Sequence, residues 1–264
     1  MRSAPAESLD AWRERLRAAR SATALAEIVA ALRADPRSGA KEICARAEQR
    51  LASSEADALR LRGLLARRSA LRAAGARFVA GVDEVGVGPL AGPVVAAAVV
   101  LPDEVVLPGL DDSKRLDAAT RERLDAAIRE QALAVSVAEV SPQEIDRLNV
   151  LRASLVAMRC AVEGLAVRAD HVLVDARTIP DLLAPQTAII HGDATDATIA
   201  AASIVAKVHR DAVMKLLDGA HPGYGFAVHK GYPTPAHRAA LARLGPSPVH
   251  RRSFAPVAAC GATA

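Results

Sequence analysis

Asp83 and Glu84 stand side by side in an otherwise apolar run broken by glycines, Gly81-Val-Asp-Glu-Val-Gly-Val-Gly-Pro-Leu-Ala-Gly-Pro-Val-Val-Ala-Ala-Ala-Val-Val100. A carboxylate in low dielectric costs several kcal/mol unless it is paired, hydrogen-bonded or bound to a metal. The pair therefore needs an electropositive partner, and a divalent metal is expected. Two further acids fall at the ends of expected strands: Asp175 closes His171-Val-Leu-Val-Asp175, and Asp193 follows Ala188-Ile-Ile-His-Gly192. In open α/β sheets the functional crevice lies beyond the carboxyl ends of the strands, so the four acids are expected to converge there. Hard oxygen donors select Mg²⁺ or Mn²⁺. Two such ions about 3.5–4 Å apart can activate a water and stabilise the leaving oxygen of an in-line phosphoryl displacement.

One geometric demand follows. Neighbours on a regular strand point to opposite faces, so Asp83 and Glu84 share one cluster only where the strand ends or bulges. Gly86, Gly88 and Pro89 are expected to supply that break. Other acids read differently: Asp196 as the N-cap of a helix, Asp211 as a helix-surface ion pair with Lys207 or Lys215, and Asp111 and Asp112 as turn residues before Ser113-Lys114.

The elements that must position these groups change character near Gly75. Residues 8 to 75 read as helices, with Leu9, Trp12 and Leu16 at helical spacing, Leu25, Ile28, Val29 and Leu32 likewise, and Asp35-Pro36 as a break before a helical run from Ser38 to about Leu51. From Phe78 onward, Val- and Ala-rich runs predict strands near 78–85, 93–101, 132–140, 171–175 and 187–191. Helices are predicted near 117–131, 150–167, 196–217 and 235–244. That order predicts a mixed α/β sheet, antiparallel at its start and parallel later. The expected domains are a helical extension, 1–75, and a main domain, 76–264.

A chain of 264 residues with 51% hydrophobic content can bury a full core. The longest apolar run, Pro89 to Pro102, is interrupted and too short for a membrane helix, and the N-terminus is charged, without the apolar core of a signal peptide. Cys44, Cys160 and Cys260 form neither a disulfide framework nor a zinc motif, which fits a reducing, cytoplasmic setting. Residues 1 to 76 hold 15 Lys+Arg against 9 Asp+Glu. This basic appendage is either a source of long-range attraction to a polyanion or a solvated arginine-rich face. Of only six aromatic residues, Tyr224, Phe226 and Tyr232 cluster, as either a stacking surface or core packing.

Further motifs follow one another in order: Asp83-Glu84-Val85-Gly86, Gly88-Pro89-Leu90-Ala91-Gly92-Pro93-Val94, Asp112-Ser113-Lys114, Ile145-Asp146 with Asn149, Val174-Asp175, Gly192-Asp193, Ala201-Ala202-Ser203-Ile204 with Ala206-Lys207-Val208, and His229-Lys230-Gly231-Tyr232-Pro233. On these motifs residues 77 to 255 resemble bacterial ribonuclease HII. Asp35-Pro36-Arg37-Ser-Gly39 is similar to the helical extension of some members. The resemblance implies a ribonuclease H-like mixed five-stranded sheet flanked by helices. It implies an endonuclease acting on RNA/DNA hybrids and on single ribonucleotides in duplex DNA, leaving 3′-hydroxyl and 5′-phosphate ends, as a monomer. Asp83, Glu84, Asp175 and Asp193 match the metal-binding acids. Gly86, Val87 and Gly88 match the segment that senses the ribose 2′-hydroxyl, Tyr232 the residue that packs on the sugar, and Ser113, Lys114 and Lys207 positions near the nucleic-acid backbone. His191, His229 and His237 are expected to be structural or surface groups.

Two departures stand out. Val87 replaces the arginine of the usual Gly-Arg-Gly, removing a guanidinium able to make charge-assisted hydrogen bonds. Ala176 stands where glycine commonly follows the aspartate. The alternative reading is an RNA/DNA-junction binder with catalysis impaired by Val87, and four clustered negative charges argue against it. A different two-metal nuclease is disfavoured by the Gly231-Tyr232 and Asp112-Ser113-Lys114 motifs.

Overall fold

Five strands form one sheet in the order β3-β2-β1-β4-β5. They are β1 (Val79–Val85), β2 (Val94–Val100), β3 (Ala134–Val140), β4 (His171–Asp175) and β5 (Gln186–Ile189). β1 pairs antiparallel with β2 and β2 with β3, whereas β1 pairs parallel with β4 and β4 with β5. This is the mixed sheet the sequence predicts. The computed structural model describes residues 7–261, in two units divided between Gly63 and Leu64.

In the larger unit, α4 (Ala66–Ala73) precedes the sheet, and α5 (Ala118–Gln131), α6 (Pro142–Leu148) and α7 (Val150–Glu163) alternate with the strands. After β5 come α8 (Gly192–Thr195), α9 (Ala197–Ala220), α10 (Phe226–His229), α11 (Pro235–Leu244) and α12 (Ala255–Gly261). The helix starts follow local chemistry. Asp117 caps α5 through Thr120 N (2.7 Å), Asn149 caps α7 through Arg152 N (3.0 Å), and Asp196 caps α9 through Thr198 N (2.9 Å). Each such cap is worth about 1 kcal/mol.

The parity of β1 assigns its side chains to two faces. Ala80 and Val82 join Ala96, Val172 and Val174 in a core closed by Ile145 of α6 and Ala153, Ala157 and Met158 of α7. Val79 and Leu173 turn the other way, onto Ile199 of α9. Position 81 must be glycine, because a Cβ there would collide with the Thr198 backbone, so α9 lies very close on the sheet.

The smaller unit is built from α1 (Leu9–Ala18), α2 (Ala22–Leu32) and most of α3 (Ser38–Leu64). They share a core of Trp12, Leu16, Leu25, Ile28, Leu32, Ile43 and Ala47. The helical run expected to end near Leu51 continues to Leu64. Gly75 follows α4, which lies in the larger unit. The buried Arg68 of α4 donates to the carbonyls of Leu101 (2.9 Å), Pro102 and Asp103 (3.1 Å). No helix among the described residues is long and apolar enough to cross a membrane.

Candidate active site

β1 runs in unbroken register with β2 through Val85, so the glycine break comes after both carboxylates and not between them. Asp83 and Glu84 consequently leave opposite faces of the sheet. Asp83 takes a hydrogen bond from Ser203 of α9, and Glu84 takes one from Ser154 of α7. The break expected of Gly86, Gly88 and Pro89 does follow Val85, where β1 ends, but it leaves the two carboxylates on opposite faces. Asp175 ends β4, one position past the Val82–Val174 pair, and so stands beside Asp83 across one strand spacing of about 4.8 Å. Asp193 lies in the one-turn α8 and not at a strand end. Asp175 Oδ1 accepts the Gly192 N–H at 2.7 Å, which ties α8 to the end of β4.

Electrostatics mark the cluster. Burial, then the Glu84 charge, holds the Asp83 carboxyl well above the ordinary carboxylate range. Burial and then Asp175 raise Glu84, while burial raises Asp175, with the Asp193 charge adding to it. Positive charge reaches this group from two sides: Lys114 Nζ lies 2.6 Å from Asp193 Oδ2, and the Arg177 charge works against the rise at Glu84. Among the described residues no three His, Cys, Asp or Glu side chains close on a common metal position. Glu84 leaves by the α7 face, Asp83 Oδ1 accepts the Glu84 N–H at 2.7 Å, and the Lys114 ammonium stands at Asp193. The donor set nevertheless fits divalent metal: mutually repelling hard oxygen donors, with an ammonium standing in for part of the missing positive charge.

The expected substrate residues separate into exposed and buried groups. Gly86 has φ +90°, and a Cβ on it would meet Arg210 Nε, so only glycine fits. Val87 and Gly88 are exposed. A Cβ at Gly88 would lie 3.9 Å from Tyr232 Cε1, which puts that ring beside the segment. Tyr232 is 40% exposed, whereas Tyr224 and Phe226 stack in the core with ring centroids 5.2 Å apart. The aromatic cluster therefore resolves into two packing residues and one surface ring.

Ser113 is buried, its Oγ 3.0 Å from Ser203 Oγ, forming a hydroxyl chain that ends on Asp83. Lys207 pairs with Asp211 at 2.6 Å along α9, and Asp196 caps α9, as their spacings predict. His237 and His250 are buried and joined through Nε2 atoms 3.1 Å apart, and His229 stacks on His237.

Two residues that sequence reasoning missed dominate the interior beside the glycines. Arg210 and Arg251 are fully buried. Arg210 lies on the buried stripe Ile199, Ser203, Ala206, Arg210 and Met214 of α9, a 3.6-residue period that could have flagged it. Arg251 has no such local signal.

A mixed five-stranded sheet carrying four carboxylates around its carboxyl edge defines a ribonuclease H-like fold. The solved ribonuclease H2 of Pyrococcus horikoshii OT3 is similar to this chain, with a TM-score of 0.59 and 28% identity, covering 69% of this chain and 96% of that one. The family model of ribonuclease HII matches residues 80–257, and the chain belongs to that family. It is 53% identical over 231 residues to ribonuclease HII of Myxococcus xanthus, covering 87% of this chain and 79% of the relative. To ribonuclease HII of Geobacillus kaustophilus it is 51% identical over 226 residues, covering 86% of each.

Proposed function

We propose that this chain is an endonuclease that hydrolyses the RNA strand of RNA/DNA hybrids and incises duplex DNA at single embedded ribonucleotides. The observation that carries the reading is Asp83 and Asp175 side by side at the ends of β1 and β4, with Glu84 next along β1 and the turn of Asp193 tied to Asp175 through the Gly192 N–H. Relatives that bear the name ribonuclease HII support it. Asp83, Glu84, Asp175 and Asp193 are the residues that would hold Mg²⁺ or Mn²⁺. Two bound ions supply an activated water and stabilise the leaving oxygen of an in-line displacement.

The protein's own groups do the rest. Burial keeps the carboxylates in low dielectric, where their attraction for cations is strong. The Ser113–Ser203 hydroxyl chain and the Glu84 N–H orient Asp83, and the Gly192 N–H orients Asp175. Gly86, Val87 and Gly88 read the 2′-hydroxyl, the group that separates RNA from DNA. Tyr232 offers its face to the adjoining sugar. Lys114 and Lys207 offset phosphate charge. Water attacks the phosphorus on the 5′ side of the ribonucleotide, and the bond to the upstream 3′ oxygen breaks.

The test is end chemistry. A duplex with one ribonucleotide should yield an upstream 3′-hydroxyl that a polymerase extends and a downstream 5′-phosphate beginning with the ribonucleotide. A 2′,3′-cyclic phosphate would instead show attack by the ribose itself and would overturn the mechanism.

A further inference from the structure

We propose that Arg251 is a positioning residue for 2′-hydroxyl recognition, holding Gly86-Val87-Gly88 so that the amide N–H groups of Val87 and Gly88 face the nucleotide. The inference rests on the function proposed above for that segment, and adds a residue about 165 positions away in sequence.

The Arg251 fork donates to backbone carbonyls through all three of its nitrogens. Nη2 donates to Gly86 O at 2.6 Å and to Gly92 O at 2.9 Å, Nη1 to Val87 O at 3.0 Å, and Nε to Gly92 O at 3.0 Å. A guanidinium is planar and presents its donors in a fixed fork, so three carbonyls bound to it are fixed relative to one another. In a trans peptide the carbonyl and the following N–H lie on opposite sides of the unit. Drawing Gly86 O and Val87 O inward therefore turns Val87 N–H and Gly88 N–H outward. Both residues are exposed, and neither N–H has an acceptor among the described residues. Two adjacent free donors beside the Tyr232 ring suit a hydroxyl oxygen, and a deoxyribose offers them nothing.

The rest of the interior keeps the fork in place. Arg251 N donates to Leu90 O at 2.8 Å, and Asp146 fixes the next turn through Arg252 N (2.9 Å) and Ser253 N (2.8 Å). Arg210 takes the carbonyls of Pro93 (3.0 Å), Lys230 (3.1 Å) and Ala91 (3.2 Å), filling the space under Gly86. Neither guanidinium has a carboxylate at ion-pair distance among the described residues, so backbone carbonyls compensate these buried charges, with the Phe254 ring 5.2 Å from the Arg251 guanidinium and the Tyr232 ring 6.0 Å from that of Arg210. A lysine at 251 could not span the same three acceptors, since its ammonium is a point charge without the fork.

The experiment uses the full chain and Arg251→Lys, with folding of each checked by thermal unfolding. Affinities are measured by anisotropy, without divalent metal, for a DNA duplex containing one ribonucleotide and for its all-deoxy twin. The wild type should prefer the ribonucleotide duplex on the order of 10-fold, the effect of two net hydrogen bonds. Arg251→Lys should lose that preference while its all-deoxy affinity stays within about 2-fold. A purely structural role would leave the ratio intact, and an intact ratio in the folded variant overturns the inference alone. No preference in the wild type would sink the reading of the segment and the inference with it. Should Arg251→Lys fail to fold, amide NMR of the wild type decides. Val87 and Gly88 signals should shift more with the ribonucleotide duplex than with its twin, and equal shifts overturn the proposal.

Discussion

Lys114 Nζ lies 2.6 Å from Asp193 Oδ2, an ion pair between a side chain 77% exposed and one 7% exposed. The hydrogen bond to Asp193, more than any other group, raises the Lys114 pKa, so the ammonium stays charged throughout the working range. A charged, exposed lysine at the rim of an acidic cluster is placed to meet a phosphate when a duplex arrives. Each phosphate neutralised releases counterions and adds about 0.9 to the salt slope of duplex binding. Lys114→Gln should therefore lower the slope of log affinity against log salt by about that amount, read by anisotropy over a salt series. An unchanged slope would remove Lys114 from the interface.

Ala176 follows Asp175 with φ +54°. A non-glycine residue in the left-handed region carries a strain of roughly 1–2 kcal/mol, partly offset because alanine restricts the unfolded chain more than glycine does. Ala176→Gly should thus raise unfolding stability by up to about 1 kcal/mol, measured by urea denaturation. A clear loss of stability would contradict the backbone assignment. The departure seen in sequence has a physical meaning here: glycine suits this turn better than alanine does.

The buried histidines have forced tautomers. Ser247 N–H donates to His250 Nδ1 (3.0 Å), so His250 carries its proton on Nε2 and donates to His237 Nε2, whose Nδ1–H donates to Tyr232 O (2.9 Å). Burial, followed by His237, pulls the His250 pKa down to about 4, even though Ser247 Oγ lies 2.8 Å from Nδ1. A histidine whose folded pKa is depressed binds its proton more readily when unfolded. Its contribution is therefore present above the unfolded value near 6.5 and is lost as pH falls towards 4. Unfolding free energy should drop across that window with a slope approaching about 1.4 kcal/mol per pH unit. His250→Gln should flatten that slope, and an equal slope in both proteins would refute the assignment.

Much of this was readable from pattern. The strands and their mixed order follow from Val- and Ala-rich runs, and the four acids from buried charge beside strand ends. What escaped was set by distance along the chain. The fork of Arg251 reaches Gly86, and the His250–His237–Tyr232 relay ties the last described segment to the tyrosine, through contacts with no local period. The strand break expected of Gly86, Gly88 and Pro89 is present, but it comes too late to turn Asp83 and Glu84 to one face. Pairing with β2 holds β1 straight until Gly86 provides the left-handed turn. The burial of Ser113 could not be read from its loop motif, because its partner Ser203 is 90 residues away.

Val87 is 37% exposed, with its carbonyl held by Arg251 and its side chain outside the core. An arginine there has room without repacking. A regained hydrogen bond to a charged partner is worth about 1.5–3 kcal/mol, so Val87→Arg should raise kcat/KM for a ribonucleotide-containing duplex by roughly 10- to 150-fold at unchanged thermal stability. Equal or lower kcat/KM would show that the valine is not a handicap. Binding by the wild type without incision, rescued in Val87→Arg, would favour the junction-binding reading.

Hydrolysis at a ribonucleotide by Asp83, Glu84, Asp175 and Asp193, as proposed above, is tested most directly by incision of a DNA duplex containing one ribonucleotide, with Mg²⁺ or Mn²⁺, by the wild type and by Asp193→Asn, a change that preserves the volume of a side chain in α8. Incision 5′ of the ribonucleotide is expected from the wild type and none from a folded Asp193→Asn. Undiminished incision by that variant would contradict the proposal.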